Sequence, residues 1–241
     1  MDNQSLNQYD KNNAFNDFFN DFQQECSIIS DIFFGIIETT KICLNCKNNY
    51  NSRNLDNPIC YKYQKFNCLI FPLEEVNNMK NNMTLNKGFQ IYNNIVSIFD
   101  CFNYYQKTDL LTGNNNNYCN ICKQLSNSLY TSKIFISPNV LILILNRGKN
   151  NVFQIKLYFS EEIDISEFIL QKEKPRIIYS LYGVITCIEQ SGPFSKFIAS
   201  CKSPIDNKWY RYNDSIVNSI ENIQRDVFDF GAPFILFYQK K

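Results

Sequence analysis

The fold of this chain is decided by two short cysteine pairs, Cys43-Leu44-Asn45-Cys46 and Cys119-Asn120-Ile121-Cys122. In each pair, two intervening residues let both thiols of one tight turn face the same point. Two such turns provide the four sulfur ligands that a structural zinc ion binds in a tetrahedron at about 2.3 Å. We therefore predict a closed zinc site formed by Cys43, Cys46, Cys119 and Cys122. The alternative is a ribbon that has lost its metal while keeping its thiols.

The composition limits the classes of partner. The chain has 241 residues, with 24 basic and 23 acidic side chains and a net charge of +1. This balance argues against a nucleic-acid binder that works by neutralising phosphates. The aliphatic run 140–145 is much shorter than the roughly 20 residues that a membrane span needs, and it predicts a strand buried on both faces. We expect neither nucleic acid nor membrane as a partner.

The cysteine content and the N-terminus bear on the compartment. Residues 1–5 are polar and show no secretory signal, so we expect a cytoplasmic or nuclear protein that is not secreted. In that setting metal-bound or reduced thiols are favoured over a disulfide framework. The cysteines outside the two pairs are interpreted as small buried hydrophobes, namely Cys60, Cys68, Cys101, Cys187 and Cys201.

The pattern along the chain predicts an α+β fold that is rich in strands. Residues 1–13 are polar and asparagine-rich and are predicted to be disordered. Phe15, Phe18, Phe19 and Phe22 share one helical face, which predicts a helix within residues 14–30. The polar stretch 76–88 is predicted to be a loop. After Cys122 the alternation is typical of a mostly antiparallel sheet.

Many short motifs then follow one another in a fixed order. They are Phe33-Phe34-Gly35, Tyr118-Cys119, Pro138-Asn139-Val140-Leu141, Leu145-Asn146-Arg147, Asp164-Ile165-Ser166, Tyr179-Ser180-Leu181-Tyr182-Gly183-Val184, Trp209-Tyr210-Arg211-Tyr212-Asn213-Asp214 and Phe234-Ile235-Leu236-Phe237-Tyr238-Gln239. From about Asp31 to the C-terminus, this order resembles the ubiquitin-specific proteases, the papain-like cysteine proteases of the peptidase C19 type that remove ubiquitin.

The resemblance implies a domain compared with a hand. In that family the thumb holds the catalytic cysteine, the palm holds a histidine and a third Asp or Asn, and zinc-ribbon fingers grip ubiquitin. Residues 14–241 are then a partial domain that lacks most of the thumb. Residues 14–30 are a remnant helix, 31–135 mainly fingers, and 136–241 an antiparallel palm.

The catalytic positions depart from the family pattern. Registered on Ala199, the stretch 195–199 places Lys196 where the family has its histidine, and the chain contains no histidine at all. A lysine with an ordinary pKa near 10.4 is protonated at neutral pH and cannot serve as the base unless it is strongly desolvated. Asn213 matches the third triad position. The box that holds the nucleophile is absent, and no oxyanion segment precedes Cys26.

These departures lead to one expectation and two alternatives. We expect a ubiquitin carboxyl-terminal hydrolase family protein that is catalytically inactive and binds ubiquitin weakly or acts as a scaffold. The first alternative is a fragment of a longer deubiquitinase gene whose half with the catalytic cysteine is missing. The second is a zinc-ribbon interaction module unrelated to ubiquitin. The cysteines to test as a replacement nucleophile are Cys26, Cys187 and Cys201.

Overall fold

A computed structural model describes residues 3–24, 27–49, 59–85, 94–148, 154–171, 175–191 and 194–241. The helices in these ranges are α1 (Asn3–Gln24), α2 (Ile28–Phe33), α3 (Leu44–Asn49), α4 (Leu73–Leu85) and α5 (Ile98–Tyr105). Within the described ranges, none of these helices combines the length and the apolar character that crossing a membrane requires.

Strands dominate the described residues, so the predicted strand-rich α+β class is confirmed. The strands are β1 (Gly35–Cys43), β2 (Ile59–Phe66), β3 (Leu69–Pro72), β4 (Ile95–Ser97), β5 (Thr108–Leu111), β6 (Asn117–Cys119), β7 (Gln124–Ser126), β8 (Ser128–Ile136), β9 (Val140–Asn146), β10 (Lys156–Tyr158), β11 (Glu162–Asp164), β12 (Ile178–Ser191), β13 (Phe194–Lys202), β14 (Trp209–Asn213), β15 (Ile216–Ile220) and β16 (Ala232–Lys240).

A four-stranded antiparallel sheet has the order β2-β1-β8-β5. Strand β1 is central, and its register places Glu38 opposite both Tyr63 of β2 and Lys133 of β8. The hairpin of β6 and β7 forms a separate two-stranded sheet. Because β1 ends at Cys43 and β6 ends at Cys119, both sheets deliver a cysteine where a strand stops.

An eight-stranded sheet has the order β15-β14-β13-β12-β16-β9-β3, with β11 also pairing with β12. All neighbours on this path are antiparallel except β3, which runs parallel to β9. Strand β3 lies in the range 31–135 that the sequence assigned mainly to fingers, and it is nevertheless an edge strand of the large sheet.

The main core lies on one face of the large sheet. Leu69, Leu143 and Leu236 are paired across three strands and are almost completely buried. Ile142 and Ile144 alternate with the buried leucines of β9 and remain partly exposed. The prediction that the strand at 140–145 is buried on both faces holds at Val140 and is wrong at Ile142 and Ile144, which the core does not cover.

Two further predictions are wrong in the N-terminal half. Residues 3–13 were predicted to be disordered but belong to α1. Lys11 forms an ion pair of 2.9 Å with Glu38, and the ring of Phe15 lies 5.2 Å from that of Tyr63, so contacts with the four-stranded sheet offset the poor helix propensity of asparagine. The predicted single helix at 14–30 is interrupted, since α1 ends at Gln24 and α2 begins at Ile28.

The polar stretch 76–88 was predicted to be a loop, but α4 runs from Leu73 to Leu85. The helix is stabilised by packing of one narrow face, on which Leu73, Val76 and Asn77 are buried at helical spacing. Glu74 and Glu75 lie in the first turn, where negative charge favours the helix dipole.

Candidate metal centre and candidate catalytic residues

The four cysteines of the two pairs converge in space. Their Sγ atoms all lie within 4.8 Å of one another. Cys43 Sγ is 3.8 Å from Cys122 Sγ, and Cys46 Sγ is 3.7 Å from Cys119 Sγ. Four sulfurs placed about 2.3 Å from a central zinc ion would be about 3.8 Å apart along the edges of a tetrahedron. The cluster therefore has the spacing of a tetrahedral thiolate site.

Backbone contacts hold the two cysteine turns. The amide of Lys123 donates to the Cys119 carbonyl at 2.8 Å and closes the second turn. Lys123 adopts a left-handed backbone conformation with φ of 57°. The amide of Leu44 donates to the carbonyl of Asn127 at 3.0 Å and ties the first turn to the connection between β7 and β8. The turns are thus oriented by the backbone as well as by their side chains.

Ser126 on β7 contacts the cluster from a buried position. Its Oγ lies 3.0 Å from Cys43 Sγ, and the residue is only 3% exposed. A thiolate can only accept a hydrogen bond, so the hydroxyl is the donor once Cys43 is ionised. Sequence reasoning missed this serine. The only signal that could have found it was its place four residues after Cys122.

The thiols do not ionise equally without a cation. Burial raises the pKa of the Cys43 thiol, but hydrogen bonds, first among them the one from Ser126, outweigh burial and lower its pKa to about 7. Burial and hydrogen bonds to Cys43 raise the pKa of the Cys46 thiol well above its usual range. A bound divalent cation would offset this cost and allow all four sulfurs to act as thiolates.

The cysteines outside the cluster differ in exposure. Cys101 and Cys187 are completely buried, as expected for small hydrophobes. Cys68 and Cys201 are half-buried. Cys60 is exposed on β2, so its interpretation as a buried hydrophobe is wrong. The alternation of β2 places its side chain away from the neighbouring half-buried and buried positions of that strand.

Lys196 lies on β13, where its side chain is exposed and its backbone pairs with Glu189 of β12. Its sequence neighbour Phe197 is opposite Cys187, which is itself opposite Ala232 of β16. The rings of Phe197 and Phe234 meet edge to face at 5.1 Å. The strand positions beside Lys196 therefore form an apolar cluster.

Asn213 is the last residue of β14, one position beyond the pair formed by Tyr212 and Ala199. Its Oδ1 atom is buried and accepts no hydrogen bond from the described residues. An asparagine that orients an imidazole in a papain-type site is hydrogen-bonded to that ring. Here the carbonyl of the side chain is left without such a donor.

The candidate nucleophiles are not arranged around Lys196. Cys26 lies outside the described residues. Cys187 is completely buried. Cys201 is five positions along β13, about 17 Å from Lys196 at the usual rise of a strand, and burial raises the pKa of its thiol. Neither Cys187 nor Cys201 is an exposed thiol beside the lysine.

Sequence comparison gives the family. The sequence model described as ubiquitin carboxyl-terminal hydrolase matches residues 4–238, which extends the resemblance from Asp31 back into α1. The chain is 27% identical over 164 residues to ubiquitin carboxyl-terminal hydrolase 12 of Saccharomyces cerevisiae, covering 61% of this chain and 12% of that protein. It is 29% identical over 155 residues to ubiquitin carboxyl-terminal hydrolase 16 of Arabidopsis thaliana, covering 63% and 15%.

Solved structures with the same fold come from the SAGA DUB module. One, the Ubp8/Sgf11/Sus1/Sgf73 module bound to ubiquitin aldehyde, has a TM-score of 0.64 and 21% identity, covering 100% of this chain and 49% of that chain. Another, the yeast module with a variant of Sgf73, has a TM-score of 0.65 and 22% identity, covering 92% and 44%. This chain thus spans less than half of those chains. With the family model matching nearly its full length, the chain belongs to the ubiquitin carboxyl-terminal hydrolase family.

Proposed function

We propose that this chain binds ubiquitin without hydrolysing its C-terminal bond, and that a structural zinc ion stabilises its four-stranded sheet. The observation that carries the proposal is the contrast between two sites of the chain. Four cysteine sulfurs cluster at the spacing of a tetrahedral site, whereas the residue that the motif register matches to the base of the family is an exposed lysine, Lys196.

Zinc would be held by Cys43, Cys46, Cys119 and Cys122. The sulfur spacings of 3.7 and 3.8 Å and the buried hydroxyl of Ser126 support a closed tetrathiolate site. When bound, such an ion supplies folding energy and no chemistry of its own. The four cysteines would then clamp the end of β1 and the start of α3 to the hairpin of β6 and β7.

We expect no hydrolysis because this chain offers no suitable base to remove the proton from a thiol. A thiol protease needs a base that is neutral near pH 7 to remove the proton from its thiol. At the matched position, Lys196 offers an exposed lysine side chain and no imidazole for this transfer. Asn213 supports the same conclusion, that the chain is inactive. Its Oδ1 has no hydrogen-bond donor among the described residues, and there is no imidazole for its side chain to orient.

Ubiquitin binding is supported by the family and by the retained sheets. Related Ubp8 modules have been solved with ubiquitin aldehyde and with monoubiquitin. The four-stranded and eight-stranded sheets are both formed by described residues, which supports a surface for the globular part of ubiquitin. Because the sequence lacks the nucleophile box that would help to hold the ubiquitin tail, we expect micromolar or weaker affinity.

The test combines a binding and a reactivity measurement on the purified chain. We expect selective shifts of labelled ubiquitin resonances on titration, and no labelling by an electrophilic probe built on the ubiquitin C-terminus. Unchanged ubiquitin spectra in excess protein would overturn the binding proposal. Probe labelling that is lost in Cys26→Ala, Cys187→Ala or Cys201→Ala would overturn the proposal that the chain is inactive, and it would identify the nucleophile.

A further inference from the structure

The face of the eight-stranded sheet opposite the main core carries a continuous row of uncharged side chains. Directly paired residues in neighbouring strands point to the same face, so the register alone defines this row. From one edge of the sheet to the other it consists of Ile70, Ile144, Ile235, Ile185, Ala199, Tyr212 and Val217.

A second row runs parallel to the first, two residues away along each strand. It consists of Ile142, Phe237, Gly183, Cys201, Tyr210 and Ser219. Neither row contains a charged residue. We call the surface formed by these two rows the outer face.

The core does not account for this composition. On the opposite side of the same strands, Leu143, Leu236 and Val184 are completely or almost completely buried. None of the isoleucines of the outer face belongs to a buried cluster of the described residues. At the rims of the row, Ile70 and Val217 are each 54% exposed. Isoleucines repeated on four adjacent strands are typical of a sheet face that packs against another layer.

We propose that the outer face is the interface between two copies of this chain, packed sheet against sheet across a two-fold axis. A two-fold contact places the same surface on both sides, so a charged face would repel its copy, whereas an uncharged apolar face is complementary to itself. Two sheets packed in this way lie about 10 Å apart with their strands inclined by about 30°.

The size of the outer face agrees with a reversible dimer. Seven strands at about 4.8 Å and two rows of side chains cover about 34 Å by 14 Å, or about 500 Å² per copy. The total of about 1,000 Å² lies at the lower limit for a specific interface. Exposed apolar patches of several hundred Å² mark interaction sites on soluble proteins. We therefore expect a weak, reversible dimer that forms as the protein concentration rises.

The experiment is sedimentation equilibrium of the purified chain from about 1 to 200 µM. We expect a monomer–dimer equilibrium that Ile235→Lys weakens at least tenfold, because a central lysine would be buried without a partner. Leu110→Lys is the matched control, since Leu110 is 57% exposed on β5 of the four-stranded sheet, and it should leave the equilibrium unchanged.

Tyr212→Lys and Val217→Lys test the same interface if Ile235→Lys fails to fold. Both residues lie in the exposed part of the row and should be tolerated, as circular dichroism can verify, while still weakening association severalfold. A monomeric wild-type chain at 200 µM would overturn the proposal, as would equal weakening by Leu110→Lys. Because the assay contains no ubiquitin, its outcome is independent of the proposed binding function.

Discussion

The cysteine cluster and the strand positions around Lys196 are the two places where the sequence predicted functional residues, and they differ in how far the structure brings those residues together. At the cluster, four thiols from two cysteine turns meet within 4.8 Å, and a buried hydroxyl contacts one of them. The positions that the motif register matches to catalytic residues hold an exposed lysine and an asparagine whose Oδ1 has no hydrogen-bond partner among the described residues. The four cysteines are thus brought together by the fold, whereas Lys196 and Asn213 make no contact with each other or with a described exposed thiol that would support the catalytic role their positions suggest.

The largest effect is expected at the cluster. Cys46→Ser should lose about one zinc per chain and unfold the region around the two cysteine turns, because structural zinc contributes on the order of 10 kcal/mol at such sites. Elemental analysis and hydrogen exchange on β1 and β6 would measure both. Trp209 is the only tryptophan and is buried in the large sheet, so its fluorescence should stay native.

Cys60→Ser is the matched control for this substitution. Cys60 is an exposed cysteine on β2 that lies outside the cluster. It should leave both the zinc content and hydrogen exchange unchanged. Reduced protein that contains no zinc, or equal zinc loss in both variants, would refute the metal assignment.

A smaller effect is expected for the hydroxyl that contacts Cys43. Ser126→Ala should weaken zinc affinity about 10- to 100-fold, because groups that hydrogen-bond metal ligands typically contribute that much. Competition with a chromophoric chelator would measure it. Ser128→Ala is the control, since the Ser128 hydroxyl donates to the Ser126 carbonyl and not to a sulfur. Equal losses in both variants would show that Ser126 acts only through packing.

Replacing Asn213 should increase the stability of the chain. Asn213→Ala should raise the free energy of unfolding by about 1 kcal/mol, because it deletes a buried oxygen that has no hydrogen-bond donor among the described residues. Urea denaturation would measure the change. A loss of stability of similar size would instead show that Asn213 makes a native hydrogen bond.

The backbone of the second cysteine turn allows a finer test. Lys123→Gly should stabilise the metal-bound chain by about 0.5–1 kcal/mol, because glycine adopts the left-handed conformation at Lys123 without a steric cost. Lys123→Ala removes the charge and keeps the strain, so it should have no stabilising effect. If both variants behave alike in thermal denaturation, strain at this turn is not the cause.

The smallest effect is expected at Lys196, the residue that the motif register matches to the base of the family. Lys196→His should change the free energy of unfolding by less than about 0.5 kcal/mol, as is usual for exposed positions, and should yield no ubiquitin hydrolysis. An imidazole alone provides neither a nucleophile nor an oxyanion site. Hydrolysis of a fluorogenic ubiquitin ester by this variant would show that a thiol is already in place beside residue 196.

Several features were predictable because they depend on local spacing. The two C-x-x-C turns predicted a four-cysteine cluster, since the sulfurs of such a turn can face one point whatever surrounds them. Alternating and aliphatic runs after Cys122 predicted most of the large sheet. The ordered motifs predicted the family, which the match over residues 4–238 confirms.

Other features were decided only by tertiary contacts. The asparagine-rich start of α1 and the polar helix α4 are poor helices by themselves. Helix α1 docks on the four-stranded sheet through Lys11 and Phe15, and α4 buries a narrow stripe around Val76. Helix propensity alone does not predict that these two segments are helical, because the residues that stabilise them are far away in sequence.

The sequence by itself determined the cysteine cluster, the strand-rich class, the family and the lack of a histidine, because each depends on residue type and spacing. The tertiary structure alone decided that Ser126 meets Cys43, that the oxygen of Asn213 has no donor among the described residues, and that Ile142 and Ile144 of β9 stay partly exposed. Those three outcomes depend on which residues of distant strands come to lie side by side, and strand register is set by the packing of the whole sheet.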